Sequence, residues 1–296
     1  MFRIQPHPVE QPHPLDYRFT WILIVAAAVL TVRFHSGYDL SFLTMEYGTL
    51  ANEPWRLLTA CLLHGNTLHL LFNLAWTWRF GQILEPIVGL VPMVAICVVL
   101  GAGSMAAEWA FFRGGIGLSG VGYGLFGVLW AMNRFAPNYR GVMDKRTAEM
   151  FAVWFFLCIA FTYFNVMPVA NVAHGVGALL GGLIGLLFSP FAGKRRAGTA
   201  GLIAALALIG VLSTVGRPYV NLGSQRGWEL AYDGTNALEA GDLERAERLL
   251  LEALERDPSQ AWAWFNLGIV YGRTQRYTES ERAFQRAEEL NPEYTR

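Results

Sequence analysis

One serine among glycines is the first residue of this chain whose setting suggests chemistry. The stretch GGIGLSGVGYGLFG, residues 114–127, places Ser119 at the predicted beginning of a helix. The first backbone N–H groups of a helix have no partner inside it and favour an anion. Ser119 is therefore either a helix cap or a nucleophile, and in the second case those N–H groups would stabilise the oxyanion that forms on the attacked carbonyl.

Two motifs of soluble enzymes overlap this stretch, and neither fits. Gly115, Gly117 and Gly120 spell GxGxxG, but a dinucleotide site needs a preceding strand within a soluble βαβ unit, whereas these glycines open an apolar segment. The hydrolase motif GxSxG also fails, because Val121 stands where the last glycine belongs.

The glycines indicate a second helix that packs closely against the first. Gly120, Gly124 and Gly127 recur at i, i+4 and i+7, which leaves one helix side as nearly bare backbone. In VAHGVGALLGGLIG, residues 172–185, His174 shares a face with other glycines, namely Gly177, Gly181 and Gly185. If the two faces meet, Ser119 and His174 come within hydrogen-bond reach, which is the minimal nucleophile and base for acyl transfer. Tyr123, one turn after Ser119, is expected to pack on the imidazole.

Acyl transfer also needs donors for an oxyanion, and HGNTLHLLFNL, residues 64–74, supplies polar candidates. His69 and Asn73 are four residues apart and share a helix face, so together with the Ser119 N–H they form the predicted oxyanion hole. The alternative is a zinc site made by His64, His69 and His174. It is disfavoured because the chain lacks HExxH and because His64 and His69, five residues apart, do not share a face.

The composition is that of a membrane protein. Hydrophobic residues make up 53% of the 296 residues and charged residues 16%. Seven apolar segments approach the roughly 20 residues needed to span a bilayer. They are Phe19–Phe34, Leu68–Leu84, Pro86–Phe111, Ser119–Phe135, Met150–Val166, Val169–Phe188 and Ala200–Val215. The first lacks the small-residue cleavage site of a signal peptide, so it is predicted to remain in the mature protein as a helix.

Charged residues in the loops predict the orientation. With the N-terminus in the cytoplasm, ten basic residues lie inside and three outside, as the positive-inside rule requires. The inner ten are Arg3, Arg18, Arg79, Arg134, Arg140, Lys145, Arg146, Lys194, Arg195 and Arg196, and the outer three are Arg33, Arg56 and Arg113. Seven spans then place the C-terminus outside the cytoplasm. A formal net charge of zero gives no indication of a nucleic-acid partner, and three cysteines in apolar runs read as buried apolar residues.

The C-terminal region contains a repeat of 34 residues. Positions that recur at this spacing pair Leu230, Gly234, Ala237, Ala246, Leu250, Ala253 and Pro258 with Trp264, Gly268, Tyr271, Ser280, Phe284, Ala287 and Pro292. The spacing resembles two tetratricopeptide repeats, each a pair of helices. Two repeats are fewer than such domains usually need, so self-association or docking on the membrane domain is expected to cover the open surface.

The residues from Glu53 to Phe188 resemble the rhomboid family of intramembrane serine proteases. The resemblance rests on four ordered motifs on separate segments. They are WR at Trp55 and Arg56, HxxxxHxxxN at His64, His69 and Asn73, GxSG with a following tyrosine at Gly117, Ser119, Gly120 and Tyr123, and AHxxGxxxG at Ala173, His174, Gly177 and Gly181.

This resemblance implies an all-α polytopic membrane bundle with a six-helix core and a water-filled cavity. It also implies a Ser119–His174 dyad without an acidic third member, an oxyanion hole of His69, Asn73 and the Ser119 amide, and a gate formed by the fifth span with the NVMPVAN loop. Trp55 and Arg56 would lie in the first external loop. Substrates would be single-span membrane proteins cut near the outer edge of the bilayer, and neither a metal nor an organic cofactor is expected.

The predicted organisation has four parts. Residues 1–18 form a cytoplasmic segment, 19–192 the six-helix core, 193–222 an inner loop and a seventh span, and 223–296 the repeats. The main hypothesis is a protease of a prokaryotic plasma membrane, with lipid and transmembrane proteins as partners and with repeats that recruit a protein or a second copy. The alternative hypothesis is a non-catalytic scaffold that binds membrane helices.

Overall fold

The computed structural model describes residues 13–48, 50 and 52–294, and these are helical without any strand. The predicted N-terminal segment therefore lies largely outside the described residues. Two compact units divide at Val220, two residues before the predicted boundary of the repeats. The first unit contains α1 (Arg18–His35), α2 (Arg56–Thr59), α3 (Thr67–Val88), α4 (Leu90–Phe111), α5 (Ser119–Phe135), α6 (Lys145–Tyr163), α7 (Asn171–Leu186), α8 (Ala192–Ser213) and α9 (Arg217–Val220).

Each of the seven predicted apolar segments contains a helix. By length and composition, α1, α4, α6 and α8 can each cross a membrane, and α3 with the turn before it counts as a fifth span if that broken pair is joined. The break between the two parts bends the chain by 104°. Helices α5 and α7 are shorter, with 17 and 16 residues. Both helices are rich in glycine, which has little apolar surface and lets a helix pack closely against its neighbours.

Several helix boundaries differ from the sequence prediction. Helix α3 continues past Pro86 and ends before Gly89. The φ of Gly89 is +83°, a value that glycine adopts readily and other residues rarely adopt. A proline in the last turn removes only one hydrogen bond, so it does not stop the helix. Helix α8 begins at Ala192 rather than Ala200, so the segment GKRR is helical and the predicted inner loop is shorter.

Helix α6 also begins earlier than predicted, at Lys145 rather than Met150. Asp144 accepts a hydrogen bond from the Thr147 N–H at 2.8 Å and caps the helix. Hydrogen bonds from Thr147, with a smaller contribution from Arg79, hold the pKa of Asp144 below its ordinary value. The carboxylate therefore stays charged and keeps its capping role at neutral pH.

Helices α5 and α7 run parallel through the centre of the first unit. A Cβ on Gly177 or Gly181 would collide with the carbonyl oxygen of Gly120 or Gly124, respectively, and a Cβ on Gly185 would lie 2.6 Å from the carbonyl oxygen of Val128. Because both sets of residue numbers rise together, the helices begin at the same end of the bundle. We call this end, where Ser119 and Asn171 begin the two helices, the site end.

The second unit consists of two helix hairpins. They are formed by α10 (Arg226–Glu239) with α11 (Leu243–Arg256), and by α12 (Ala261–Arg273) with α13 (Tyr277–Leu290). Gly234 admits Leu250 and Gly268 admits Phe284, because an added Cβ would lie 2.8 and 2.9 Å from those side chains. The same contact therefore recurs 34 residues later, which confirms the predicted repeats.

Candidate active site

The loop before α5 is shaped by two glycines with positive φ. Gly114 has a φ of +94° and Gly117 a φ of +110°, values that favour glycine. The Gly117 N–H donates to the Ala60 carbonyl at 3.1 Å. A Cβ on Gly117 would lie 2.7 Å from Cε1 and 2.8 Å from Nε2 of His69. Because Gly117 has no side chain, the His69 ring can pack against its backbone, two residues before Ser119 in the chain.

His64 holds the peptide that immediately precedes Ser119. The Leu118 N–H donates to His64 Nε2 at 3.3 Å, and His64 Nδ1 lies 3.2 Å from Thr31 Oγ1. The Thr31 hydroxyl in turn donates to the Leu62 carbonyl at 3.3 Å. These bonds assign the proton of neutral His64 to Nδ1. Both ring nitrogens are thus engaged with protein groups, so His64 would lose a hydrogen bond if it bound zinc.

The two predicted oxyanion donors, His69 and Asn73, differ in which of their N–H groups already make hydrogen bonds. The Gly65 N–H approaches His69 Nδ1 at 3.4 Å, which leaves the proton on Nε2, the atom that faces Gly117. Asn73 is buried, and its Nδ2 donates to the His69 carbonyl at 2.9 Å. A side-chain amide has two N–H donors, so this bond leaves Asn73 one for a substrate.

His174 is buried in the first turn of α7 and stacks on Tyr123. The ring centroids are 4.5 Å apart with an interplanar angle of 25°, so the expected packing of Tyr123 on the imidazole is present. Within the part of the chain that the structure describes, His174 Nδ1 has no hydrogen-bond partner. The ring is therefore oriented by stacking and by its backbone, not by a third polar side chain.

Ser119 lies one helical turn before Tyr123, the tyrosine on which His174 stacks. The next residue, Gly120, contacts α7 on both sides of His174, since its Cβ position is 3.6 Å from the Ala173 carbonyl and its own carbonyl meets Gly177. The structure thus brings Ser119, Tyr123 and His174 to the site end. Ser119 is half-buried. No hydrogen bond joins its hydroxyl to His174 in this state, and catalytic hydrogen bonds often form only when substrate is bound.

Trp55 and Arg56 lie before α3, as expected, but they have different roles. Arg56 is buried and donates through Nη1 to the Ser41 and Thr44 carbonyls at 2.8 and 2.9 Å. Its guanidinium also pairs with Glu53. Trp55 is 52% exposed. Arg56 therefore organises the loop after α1, while Trp55 presents an aromatic surface.

Among the described residues of the first unit, sequence reasoning missed three charged residues that become buried. Glu85 accepts the N–H groups of Phe19 and Thr20 at 2.8 Å each. Glu108 accepts the Ala173 N–H at 2.9 Å, and Arg217 donates to the Trp109 carbonyl at 2.8 Å. The presence of a carboxyl group inside an apolar segment is a signal that could have pointed to Glu108, because such groups are costly in lipid.

Comparisons with known proteins show which families this chain resembles. A family model described as the Rhomboid domain matches residues 51–191, and a Tetratricopeptide repeat model matches residues 234–295. The chain is 30% identical to "Rhomboid protease GlpG" of Photorhabdus laumondii over 61% of its own length and 67% of that protein. The same-named protein of Pectobacterium atrosepticum is 30% identical over 54% and 58%, respectively, and that of Serratia proteamaculans is 37% identical over 44% and 46%.

The Rhomboid match covers the helices that contain Ser119 and His174. Each of the three relatives contains sequence that its alignment does not reach. The repeat match lies outside the Rhomboid match. The apolar helices, the glycine-mediated packing of α5 on α7 and the similarity to named proteases identify the same kind of protein. This integral membrane chain belongs to the rhomboid family of intramembrane serine proteases and carries C-terminal tetratricopeptide repeats.

Proposed function

We propose that this chain hydrolyses a peptide bond in or next to the transmembrane segment of single-span membrane proteins, with Ser119 as nucleophile and His174 as base. One observation carries the proposal: the buried His174 ring stacks on Tyr123, one turn into the helix that begins at Ser119. Glycine contacts hold the two helices together below this point. The arrangement supplies a nucleophile and a base at one end of the bundle.

In the first half of the reaction, Ser119 Oγ attacks the scissile carbonyl carbon and His174 accepts the hydroxyl proton. The tetrahedral intermediate then collapses, the peptide C–N bond breaks, and the imidazolium gives its proton to the leaving amine. In the second half, His174 takes a proton from water as the water oxygen attacks the ester carbonyl carbon. The second tetrahedral intermediate collapses, the bond between the acyl carbon and Ser119 Oγ breaks, the imidazolium returns its proton to Oγ, and the carboxylic acid product leaves. Water must therefore reach the site end.

The oxyanion would be held by the Ser119 N–H, by His69 Nε2–H and by the remaining N–H of Asn73. The Ser119 N–H belongs to the unpaired first turn of α5 and benefits from the positive end of the helix dipole. The hydrogen bond from Leu118 to His64 fixes the peptide beside it. Loss of one such donor typically raises the barrier by about 3 kcal/mol.

Access for a transmembrane substrate is proposed between α3 and α6. Of the 19 residues of α6, only Phe151 and Cys158 are buried. Its contact with α3 consists largely of aromatic rings, with Phe72 stacked on Trp154 at 5.3 Å and Trp76 set edge-on to Phe151 at 4.7 Å. Such rings can separate without breaking hydrogen bonds. Helix α6 and the loop after it are therefore suited to the role of a gate.

The activity is tested with purified full-length protein in detergent and with a fluorophosphonate probe. We expect serine-dependent labelling in the wild type, none in Ser119→Ala, and at least a hundredfold slower labelling in His174→Ala, since loss of a general base removes about 10²–10⁴ in rate. His174→Ala should keep the helical content and melting temperature near those of the wild type, because the glycine contacts remain. Equal labelling of Ser119→Ala would instead favour a non-catalytic scaffold.

The repeats are proposed to recruit a substrate, an adaptor or a second copy outside the cytoplasm of a prokaryotic cell. This placement follows from an N-terminus in the cytoplasm and seven spans. A phosphatase fused to the C-terminus should be active if the repeats are outside, and an inactive fusion that is present in the membrane would contradict seven spans. Deletion of residues 221–296 should preserve fluorophosphonate labelling while changing which membrane proteins are cut.

A further inference from the structure

Glu108 is a buried carboxyl group at the site end that the proposed dyad does not use. It lies in the last turn of α4 and is 5% exposed. Its Oε2 accepts the Ala173 N–H at 2.9 Å. Ala173 is the residue before His174, and its N–H is one of the unpaired donors of the first turn of α7. A side chain from another helix therefore caps the helix that carries the base.

No local side chain performs this capping. Ala170 occupies the N-cap position of α7 and has no side-chain oxygen to accept a hydrogen bond. A leucine at position 108 would fill the same space with a smaller desolvation cost. The carboxyl group is therefore explained by what it binds, not by packing.

Glu108 also lies beside the loop that leads to Ser119. A Cβ on Gly115 would lie 3.2 Å from Ala170 Cβ and 3.9 Å from Glu108 Cγ. The Glu108 side chain thus sits where the loop before α5 meets the first residues of α7. Its position affects the segment before the nucleophile and the segment before the base together.

We propose that Glu108 is a positioning residue for His174. In a serine protease triad, a carboxylate orients the imidazole through Nδ1. Among the described residues here, His174 Nδ1 has no hydrogen-bond partner, so the ring direction depends on Tyr123 and on the position of the α7 backbone. Glu108 fixes that backbone at the adjacent peptide. The inference rests on the proposed function for its catalytic consequence, but the contact itself does not.

The chain offers a matched control in Glu85. This buried carboxyl group caps another helix in the same way, because it accepts the Phe19 N–H and the Thr20 N–H at 2.8 Å each and the Thr20 hydroxyl at 2.7 Å. It holds the first turn of α1, which contains none of the proposed site residues. Loss of either carboxyl group costs capping bonds, but only Glu108 is adjacent to the base.

The test compares Glu108→Leu, Glu108→Gln and Glu85→Leu in the full-length protein. Turnover of a fluorescently labelled single-span peptide is measured in phosphatidylcholine vesicles, below the lowest melting temperature of the set. We expect Glu108→Leu to lower kcat by roughly 10- to 100-fold with little change in KM, because a misplacement of about 1 Å can cost that much. Glu108→Gln keeps a carbonyl acceptor and should stay within about threefold of the wild type. Glu85→Leu should also stay within about threefold, despite its lower melting temperature.

The proposal is overturned by any of three results: Glu108→Leu keeps the kcat of the wild type, Glu108→Gln loses as much kcat as Glu108→Leu, or Glu85→Leu does so. A second measurement separates this outcome from failure of the proposed function. Amide hydrogen exchange should accelerate at Ala173 in Glu108→Leu and at Thr20 in Glu85→Leu. Unchanged exchange at Ala173 would refute the positioning role whether or not the wild type cleaves, whereas a wild type without serine-dependent turnover would refute the proposed function alone.

Discussion

At the scale of single residues, the contacts of the site divide into those that orient a ring and those that fix a peptide. Tyr123 orients His174 by stacking, while His64 and Glu108 hold the backbone N–H groups of Leu118 and Ala173. Each of these N–H groups belongs to the residue before a proposed catalytic residue. The proposed nucleophile and the proposed base are therefore each positioned through the backbone at the beginning of their own helix.

Removal of the ring at position 123 should impair catalysis more than removal of its hydroxyl. Tyr123→Phe retains the stacked ring, and we expect its kcat to stay near that of the wild type. Tyr123→Leu keeps apolar bulk but loses the stacking, worth about 0.5–1.5 kcal/mol, and should lower kcat by roughly two- to tenfold. Turnover of the fluorescently labelled single-span peptide measures kcat for both variants. A Phe variant as impaired as Leu would assign the effect to the hydroxyl instead.

At the scale of helices, the close approach of α5 and α7 is what places Ser119 and His174 at one end. Every fourth residue along the contact is a glycine on α7, and the partner on α5 is backbone. Association of helices in lipid depends on van der Waals contact because no hydrophobic force drives it. A small increase in side-chain size should therefore move one helix away from the other.

Gly181→Ala should separate the helices, and Gly182→Ala is its matched control. A Cβ at Gly181 would collide with the Gly124 carbonyl, whereas a Cβ at Gly182 has no atom within 4 Å. Overpacking of this kind costs about 1–3 kcal/mol, so the melting temperature and the labelling rate of Gly181→Ala should both fall. Gly182→Ala should match the wild type in both measurements. Equal effects of the two substitutions would show that the contact is not tightly packed.

At the scale of the whole molecule, each of the two units has its own apolar core. The membrane unit also buries capping carboxyl groups, while the repeats add ion pairs near their surface. Arg276, the residue before α13, contacts Glu247 of the preceding repeat at 2.6 Å and Glu279 in the first turn of α13 at 2.8 Å. Hydrogen bonding to Arg276 holds the pKa of Glu279 below its ordinary value of 4.5.

The repeats should therefore lose stability in acid. A carboxyl group whose pKa is lower in the folded state stabilises that state above its ordinary pKa of 4.5 and loses this contribution as the pH falls through the lowered value. We expect faster hydrogen exchange in residues 243–290 of the full-length protein as the pH is reduced below about 4.5, after correction for intrinsic exchange. Arg276→Gln should weaken this pH dependence. An identical pH dependence in that variant would exclude the ion pair as its cause.

The sequence by itself determined the helices, the 34-residue repeat and the proposed catalytic pair, because hydropathy, glycine spacing and repeat period are local properties. Only the tertiary structure decided that Glu108 caps α7 and that His64 binds the Leu118 N–H, and it also shows that one donor of Asn73 is already occupied within α3. The first two bonds join residues 65 and 54 positions apart. Such bonds depend on the rotation and depth of each helix relative to its neighbours, which periodicity along one helix does not specify.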